Sequence, residues 1–171
     1  MTGRIITADA RDGLAQLGSK SIDCCVTSPP YYGLRDYGIE GQIGLEATPE
    51  LYIIKLINVF REANRVLADD GTLWVVIGDC HAGNGSHGGG GPASGSRNIG
   101  NGACPPKSMP GGCKPKDLIG IPWMLAFALR NDGWHLRSDI IWHKPNAMPE
   151  SVKDRPTRAH EYVFLFSKSK K

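Results

Sequence analysis

Apolar and polar positions along the chain switch between two periods, and each switch marks an element. Residues 4–8 form a short apolar stretch that predicts a strand, followed by a polar stretch, Arg11 to Gln16, with room for a turn or two of helix before Gly18. Residues 23–27, Asp-Cys-Cys-Val-Thr, predict a second strand. It stops at Ser28-Pro29-Pro30, because two prolines cannot continue a central strand. Over residues 48–68 the helix signals agree: Thr48 can cap, Pro49 suits the first helical position, and Ile53, Ile57, Phe60 and Leu67 recur at helical spacing. Asp70-Gly71 then predicts a turn into residues 72–77, Thr-Leu-Trp-Val-Val-Ile, a run apolar enough for burial on both faces of a parallel sheet. Strand, helix and strand in this order predict a crossover unit.

Residues 82–116 carry half of the chain's 22 glycines together with Ser, Asn and Pro. So little apolar surface cannot offset the entropy of ordering, and the composition predicts a long mobile loop. Regular structure resumes with a predicted helix over residues 122–130, closed by Asn131-Asp132-Gly133, where Gly133 supplies a left-handed cap. Residues 134–142 alternate as a strand does. After a proline-containing excursion over 145–156, residues 160–166 read as another strand, the antiparallel partner of the one before. The class is α/β.

A length of 171 residues suits one domain. The net charge of +3 is matched by Lys168, Lys170 and Lys171 alone, so it says little about nucleic acid. Five cysteines, Cys24, Cys25, Cys80, Cys104 and Cys113, form no C-x-x-C pair, and reduced thiols in the cytoplasm are expected. No apolar run approaches the roughly 20 residues of a membrane span, and the start lacks the shape of a signal peptide, so no membrane partner is expected.

The stretch with chemical content is residues 27–38, Thr-Ser-Pro-Pro-Tyr-Tyr-Gly-Leu-Arg-Asp-Tyr-Gly. It follows the C-terminal end of a predicted buried strand, the edge at which open α/β sheets bind ligands. By itself Ser28-Pro29-Pro30-Tyr31 also fits a proline-rich turn packed by aromatic residues. The wider pattern resembles the amino-methyltransferases of DNA, which carry (Asp/Asn/Ser)-Pro-Pro-(Tyr/Phe/Trp) and make N4-methylcytosine or N6-methyladenine. Asp9-Ala10, residues 71–79, Ile140-Ile141-Trp142-His143-Lys144-Pro145-Asn146 and residues 155–162 look like the family's other blocks, in the family's order.

The resemblance implies a Rossmann-like methyltransferase fold, with a mostly parallel sheet ending in an antiparallel hairpin. It also implies S-adenosylmethionine as methyl donor and DNA as partner. It makes Ser28, Pro29, Pro30 and Tyr31 the catalytic group, Asp9, Ala10 and Ser28 donor contacts, and Lys144, Asn146, Arg155 and Arg158 DNA contacts. For Asp9 and Asp79 a capping role stands equally open, as does a solvated surface for the basic residues. No metal is implied. His81, His87, Cys80, Cys104 and Cys113 are spaced too irregularly for a zinc site, and Gly88–Gly91 fits no phosphate-binding pattern.

The chemistry explains the residue types. An exocyclic amine is a poor nucleophile because its lone pair is delocalised into the ring. Accepting its N–H hydrogens lets the lone pair localise, and the Ser28 hydroxyl and a rigidly held Pro29 carbonyl suit that task. Tyr31 offers a flat face to a base that has left the stack. No covalent enzyme intermediate is needed. Carbon-5 cytosine methylation uses a cysteine after a proline, whereas Cys104-Pro105-Pro106 has the reverse order. Serine in the first motif position favours N4-methylation of cytosine, with adenine-N6 methylation or a non-catalytic DNA-binding remnant as the alternatives. The family's donor-binding block, an aromatic-x-Gly-x-Gly loop, does not follow. The resemblance therefore implies an incomplete sheet, that of a truncated or split enzyme whose remaining strands lie on another polypeptide.

Overall fold

The computed structural model of the protein describes residues 3–82, 112–147, 149 and 153–170. Most of the glycine-rich segment expected to form a loop, with His87, Gly88–Gly91 and Cys104, lies outside the described residues.

Helix α1 spans Ala10–Ala15, capped by Asp9, whose side chain accepts from the Arg11 backbone N–H. Strand β1 is Ile22–Thr27. Helix α2, Pro49–Val66, starts as its sequence dictates: the Thr48 side chain accepts from the Leu51 N–H, and Pro49 fills a first-turn position that has no donor to lose. Its buried face carries Tyr52, Ile53, Leu56, Ile57, Phe60 and Ala63. The chain passes directly into β2, Leu67–Ile77. Helix α3, Ile121–Asn131, ends before Gly133, whose φ of 104° matches the expected left-handed cap. Strands β3, His135–His143, and β4, His160–Ser167, complete the described elements.

The four strands form one sheet in the order β1-β2-β4-β3. β1 pairs parallel with β2, and β4 pairs antiparallel with both β2 and β3. Three strands therefore point one way and β4 alone the other, which makes a mixed sheet with one parallel pairing, β1–β2, and the expected antiparallel hairpin of β3 and β4. β4 lies between β2 and β3. The C-terminal ends of β1, β2 and β3 and the N-terminal start of β4 consequently meet at one edge of the sheet.

Three expectations change. Residues 4–8 form no strand: Ile5 is 94% exposed, and among the described residues no strand pairs with the segment to satisfy its backbone. The Asp70-Gly71 turn falls inside β2 rather than before it. Ile22 pairs with Leu67 but Cys24 with Thr72, so residues 68–71 bulge out of the ladder. Gly71 permits that bulge, since a Cβ there would stand 3.0 Å from the Ala68 carbonyl oxygen and 3.1 Å from Leu67 Cδ2. The third change concerns burial of β2, which is one-sided.

Leu73, Val75 and Ile77 are fully buried, with Phe164 and Phe166 of β4, against α2 and α3. Side chains between them, such as Trp74 and Val76, are only partly covered, because both long helices pack on the same face. Val26 on β1 and Trp142 on β3 are 72% and 58% exposed. The apolar run of β2 thus encodes a two-faced strand of which the described residues cover one face.

Candidate active site

The turn after β1 is built as a rigid shelf. Pro29 is buried, Ser28 and Pro30 are exposed, and Tyr31 is half-buried. Beneath it, the Tyr52 hydroxyl of α2 donates to the Pro30 carbonyl at 2.8 Å. Burial raises the Tyr52 phenol well above its ordinary pKa, with Glu46, Cys80 and Tyr31 adding to the shift, so it stays protonated and remains a donor. The Tyr32 ring packs on the Tyr52 ring at 5.5 Å between centroids. The Gly33 N–H donates to the Gly44 carbonyl at 2.6 Å. Gly44 adopts a φ of 110°, a backbone state that disfavours side chains, and a Cβ there would lie 3.1 Å from the Tyr31 carbonyl oxygen. A strand end, a helix and a returning loop therefore hold four consecutive residues from below.

Tyr31 is fixed from the side as well. Its hydroxyl donates to Glu161 Oε2 of β4 at 2.9 Å, and Lys144, just beyond β3, pairs with Glu161 Oε1. Its ring lies so close to Gly78, directly after β2, that a Cβ there would stand 2.8 Å from Tyr31 Cε2. Desolvation raises the Tyr31 phenol above its ordinary value; the nearby Ser28 side chain works the other way, and Glu161 adds to the rise. The phenol is therefore protonated near neutral pH. A Gly78→Ala substitution should push the ring off the shelf while leaving β2 in place. We expect the Tyr31–Glu161 hydrogen bond to be lost with little change in melting temperature, checked by a crystal structure of the variant and by thermal denaturation.

Ser28, Pro29, Pro30 and Tyr31 line a cleft of about 320 Å³ together with Leu34, Arg35 and Tyr37. That is near the lower end for small-molecule pockets, roughly 300–1,000 Å³. Its lining combines a hydroxyl, a proline pair, apolar and aromatic side chains and one cation, Arg35. Such a cleft suits a flat ring bearing a hydrogen-bond donor.

The other residues singled out in the sequence are distributed unevenly. Asp79 caps α3, accepting from the N–H groups of Gly120 and Ile121 at 3.0 Å each and from Cys80 at 2.8 Å, which gives it the structural role left open above. Asp9 caps α1, and Ala10 is exposed beside it; neither lines the cleft. Lys144 borders the site through Glu161, and Asn146 is exposed in the turn that follows. Arg155 and Arg158 are half-buried on the segment leading into β4. Tyr52, Gly78 and Glu161 were missed as site residues. Glu161 and Gly78 fall within the blocks quoted for the resemblance, but nothing in the residue pattern marks either as a partner of Tyr31.

A family model described as DNA methylase, N6_N4_Mtase, matches residues 22–171. The chain is 56% identical over 168 residues to the type II methyltransferase M.Cfr9I of Citrobacter freundii, covering 98% of this chain and 55% of that protein. It is 55% identical over 168 residues to the type II methyltransferase M.SmaI of Serratia marcescens, covering 98% of this chain and 56% of that one. It therefore spans about half the length of these curated relatives. Among solved structures it superposes on the cytosine-N4-specific PvuII DNA methyltransferase with a TM-score of 0.61 at 17% identity, covering 95% of this chain and 48% of that one, a likeness of fold. With a match over that much of its length, the chain belongs to the N6_N4_Mtase family of DNA methylases.

Proposed function

We propose that this chain forms the base-methylating half of an S-adenosylmethionine-dependent DNA methyltransferase that modifies the exocyclic N4 amine of cytosine. The observation that carries the reading is the Ser28–Tyr31 shelf, braced by Tyr52, Gly78 and Glu161 at the floor of an open cleft. Its likeness to two type II methyltransferases supports site-specific action on DNA. The preference for cytosine rests on serine at the head of the motif, since that residue is commoner in the N4 branch of the family that the sequence resembles.

In this reading a cytosine leaves the duplex and enters the cleft beside Tyr31. The Ser28 hydroxyl and the Pro29 carbonyl accept the two amine hydrogens, and the nitrogen lone pair localises for attack. The proline pair keeps the acceptors from rotating away, so little reorganisation accompanies the reaction. S-adenosylmethionine, when bound, supplies an electrophilic sulfonium methyl. The lining fits direct transfer, since among the described residues it holds the Ser28 hydroxyl and no cysteine that would form a covalent intermediate. Asp9 and Ala10, at the start of α1, are the proposed donor contacts of this chain, along with Ser28. The remaining donor contacts are assigned to polypeptide beyond it, in the same or a second chain. Asn146, Arg155 and Arg158 are the proposed contacts to DNA, with Lys144 shared between that role and Glu161.

The test is to incubate the protein with unmethylated DNA and S-adenosylmethionine, with and without the product of the adjoining downstream reading frame, and to identify methylated nucleosides by mass spectrometry. N4-methylcytosine is the expected product. N6-methyladenine would overturn the choice of base, and dependence on the second product would establish a split enzyme. No methylated nucleoside from any of several DNA sequences, with both chains folded, would favour a non-catalytic DNA-binding remnant.

A further inference from the structure

The loop that leaves the shelf is held by its backbone, while its apolar side chains face outward. Gln42 clamps it: the side-chain carbonyl accepts from the Tyr37 N–H at 2.7 Å, and the side-chain amide donates to the Arg35 carbonyl at 3.0 Å. The Asp36 side chain accepts from the Gly38 N–H at 2.7 Å, and Gly38 and Gly41 take positive φ as the chain turns back. These contacts use no side-chain atom of Leu34, Arg35, Tyr37 or Ile39. Leu34, Tyr37 and Ile39 are 60%, 55% and 68% exposed. Arg35 is exposed too, and among the described residues no carboxylate pairs with its guanidinium. Leu34, Arg35 and Tyr37 also line the cleft with the Ser28–Tyr31 shelf. An ordered loop therefore presents apolar side chains and a cation to solvent at the mouth of the site.

We propose that this loop enters the DNA duplex where the target base leaves it, with the Tyr37 ring filling the vacated place in the stack and Arg35 meeting a neighbouring phosphate. The inference rests on the functional reading above. An extruded base stays bonded to its strand, so the gap it leaves lies within about one nucleotide of the cleft that receives the base. Only side chains at the mouth of that cleft can reach the gap. Tyr31, the other aromatic residue of the lining, is tied to Glu161, which leaves the exposed Tyr37 ring. An empty gap forfeits the stacking of the bases on either side, and an inserted ring restores part of it whatever the sequence. The clamp on the backbone of Arg35 and Tyr37 lowers the entropy lost on insertion. Tyr37 thus contacts the stack only when the target base is out, and so shifts the balance between stacked and extruded base. Arg35 reaches phosphate in both states and adds affinity without that bias.

The test uses the enzyme in the form that methylates DNA, with the downstream product where that is required. On duplex DNA, Tyr37→Ala should lower the single-turnover rate at saturating enzyme about ten- to a hundredfold, the range that one lost stacking contact represents. On the same duplex with the target cytosine mispaired, extrusion costs little, and the variant should recover to within about threefold of wild type. Tyr37→Phe keeps the ring and should stay within about threefold of wild type on both duplexes. Arg35→Gln should weaken binding to both by the same factor and lower the slope of log affinity against log salt by about one. Tyr37 is held through its backbone N–H, so alanine leaves the clamp in place; should it not fold, Tyr37→Gln removes the ring while keeping a long side chain. An active wild type with a Tyr37→Ala variant equally fast on paired DNA overturns the inference alone. So does a loss of equal size on both duplexes, which would mark the loop as packed against polypeptide beyond this chain. A wild type that methylates no DNA overturns the functional reading and this inference with it.

Discussion

Ser28→Ala is expected to reduce the rate of base methylation by about 10²–10³-fold, the cost typical of removing one preorganised hydrogen-bonding group that meets developing charge in a transition state. The hydroxyl sits exposed at the end of β1, where Pro29 and Pro30 prevent the backbone from re-aiming another acceptor into its place. Alanine leaves the shelf intact, because the bracing runs through Pro30, Tyr31, Gly44 and Gly78 rather than through Ser28. Binding of DNA should change little. Single-turnover methylation beside an equilibrium DNA-binding titration separates the two quantities. A rate within about threefold of wild type would remove Ser28 from the catalytic group. Equal loss of rate and affinity would point to a collapsed turn instead.

Phe164→Ala is expected to destabilise the fold by about 3–5 kcal/mol, the usual cost of truncating a buried phenylalanine. Phe164 is fully buried in β4 and pairs with Val75 of β2. Its ring stacks on Tyr162 at 5.6 Å and meets Trp123 of α3 edge-on at 5.2 Å. Those contacts join the sheet to α3, so the cavity would open where two elements meet and neither can close it alone. A typical domain is stable by only about 5–15 kcal/mol, so the variant should unfold at much lower denaturant concentration. Equilibrium unfolding in urea, followed by tryptophan fluorescence, measures the change. A shift below about 1 kcal/mol would mean that the neighbouring aromatic rings refill the site.

The two substitutions probe parts of the molecule that were unequally legible in the sequence. The long helices and the pairing strands were readable because their signals are local. Thr48 and Pro49 start α2, Gly133 follows α3, and alternation marks β3 and β4. The Ser-Pro-Pro-Tyr turn was readable for the same reason, since two prolines after an apolar strand leave the chain few conformations. Residues 4–8 misled because their apolar pattern is that of a strand, yet a strand also needs a partner with free backbone groups, which no local pattern reports. The run in β2 misled in a related way: its residues suit burial on two faces, and only the packing of α2 and α3 on one side shows which face they cover.

What the chain's own order of residues determined was the rigid Ser28–Tyr31 turn and its place at a sheet edge; the catalytic role proposed for it came from the family resemblance. Short-range sterics are properties of neighbouring residues, and they suffice for the turn. The insertion of β4 between β2 and β3 was decided only by the tertiary structure, and with it the meeting of Tyr31 with Glu161 across 130 residues of sequence. So was the closeness of the Tyr31 ring to Gly78, which depends on how far β2 extends beside β1. Partners so distant along the chain are selected by the total burial and pairing of the sheet, a sum over all strands, and that sum brings Glu161 within hydrogen-bonding distance of the Tyr31 phenol.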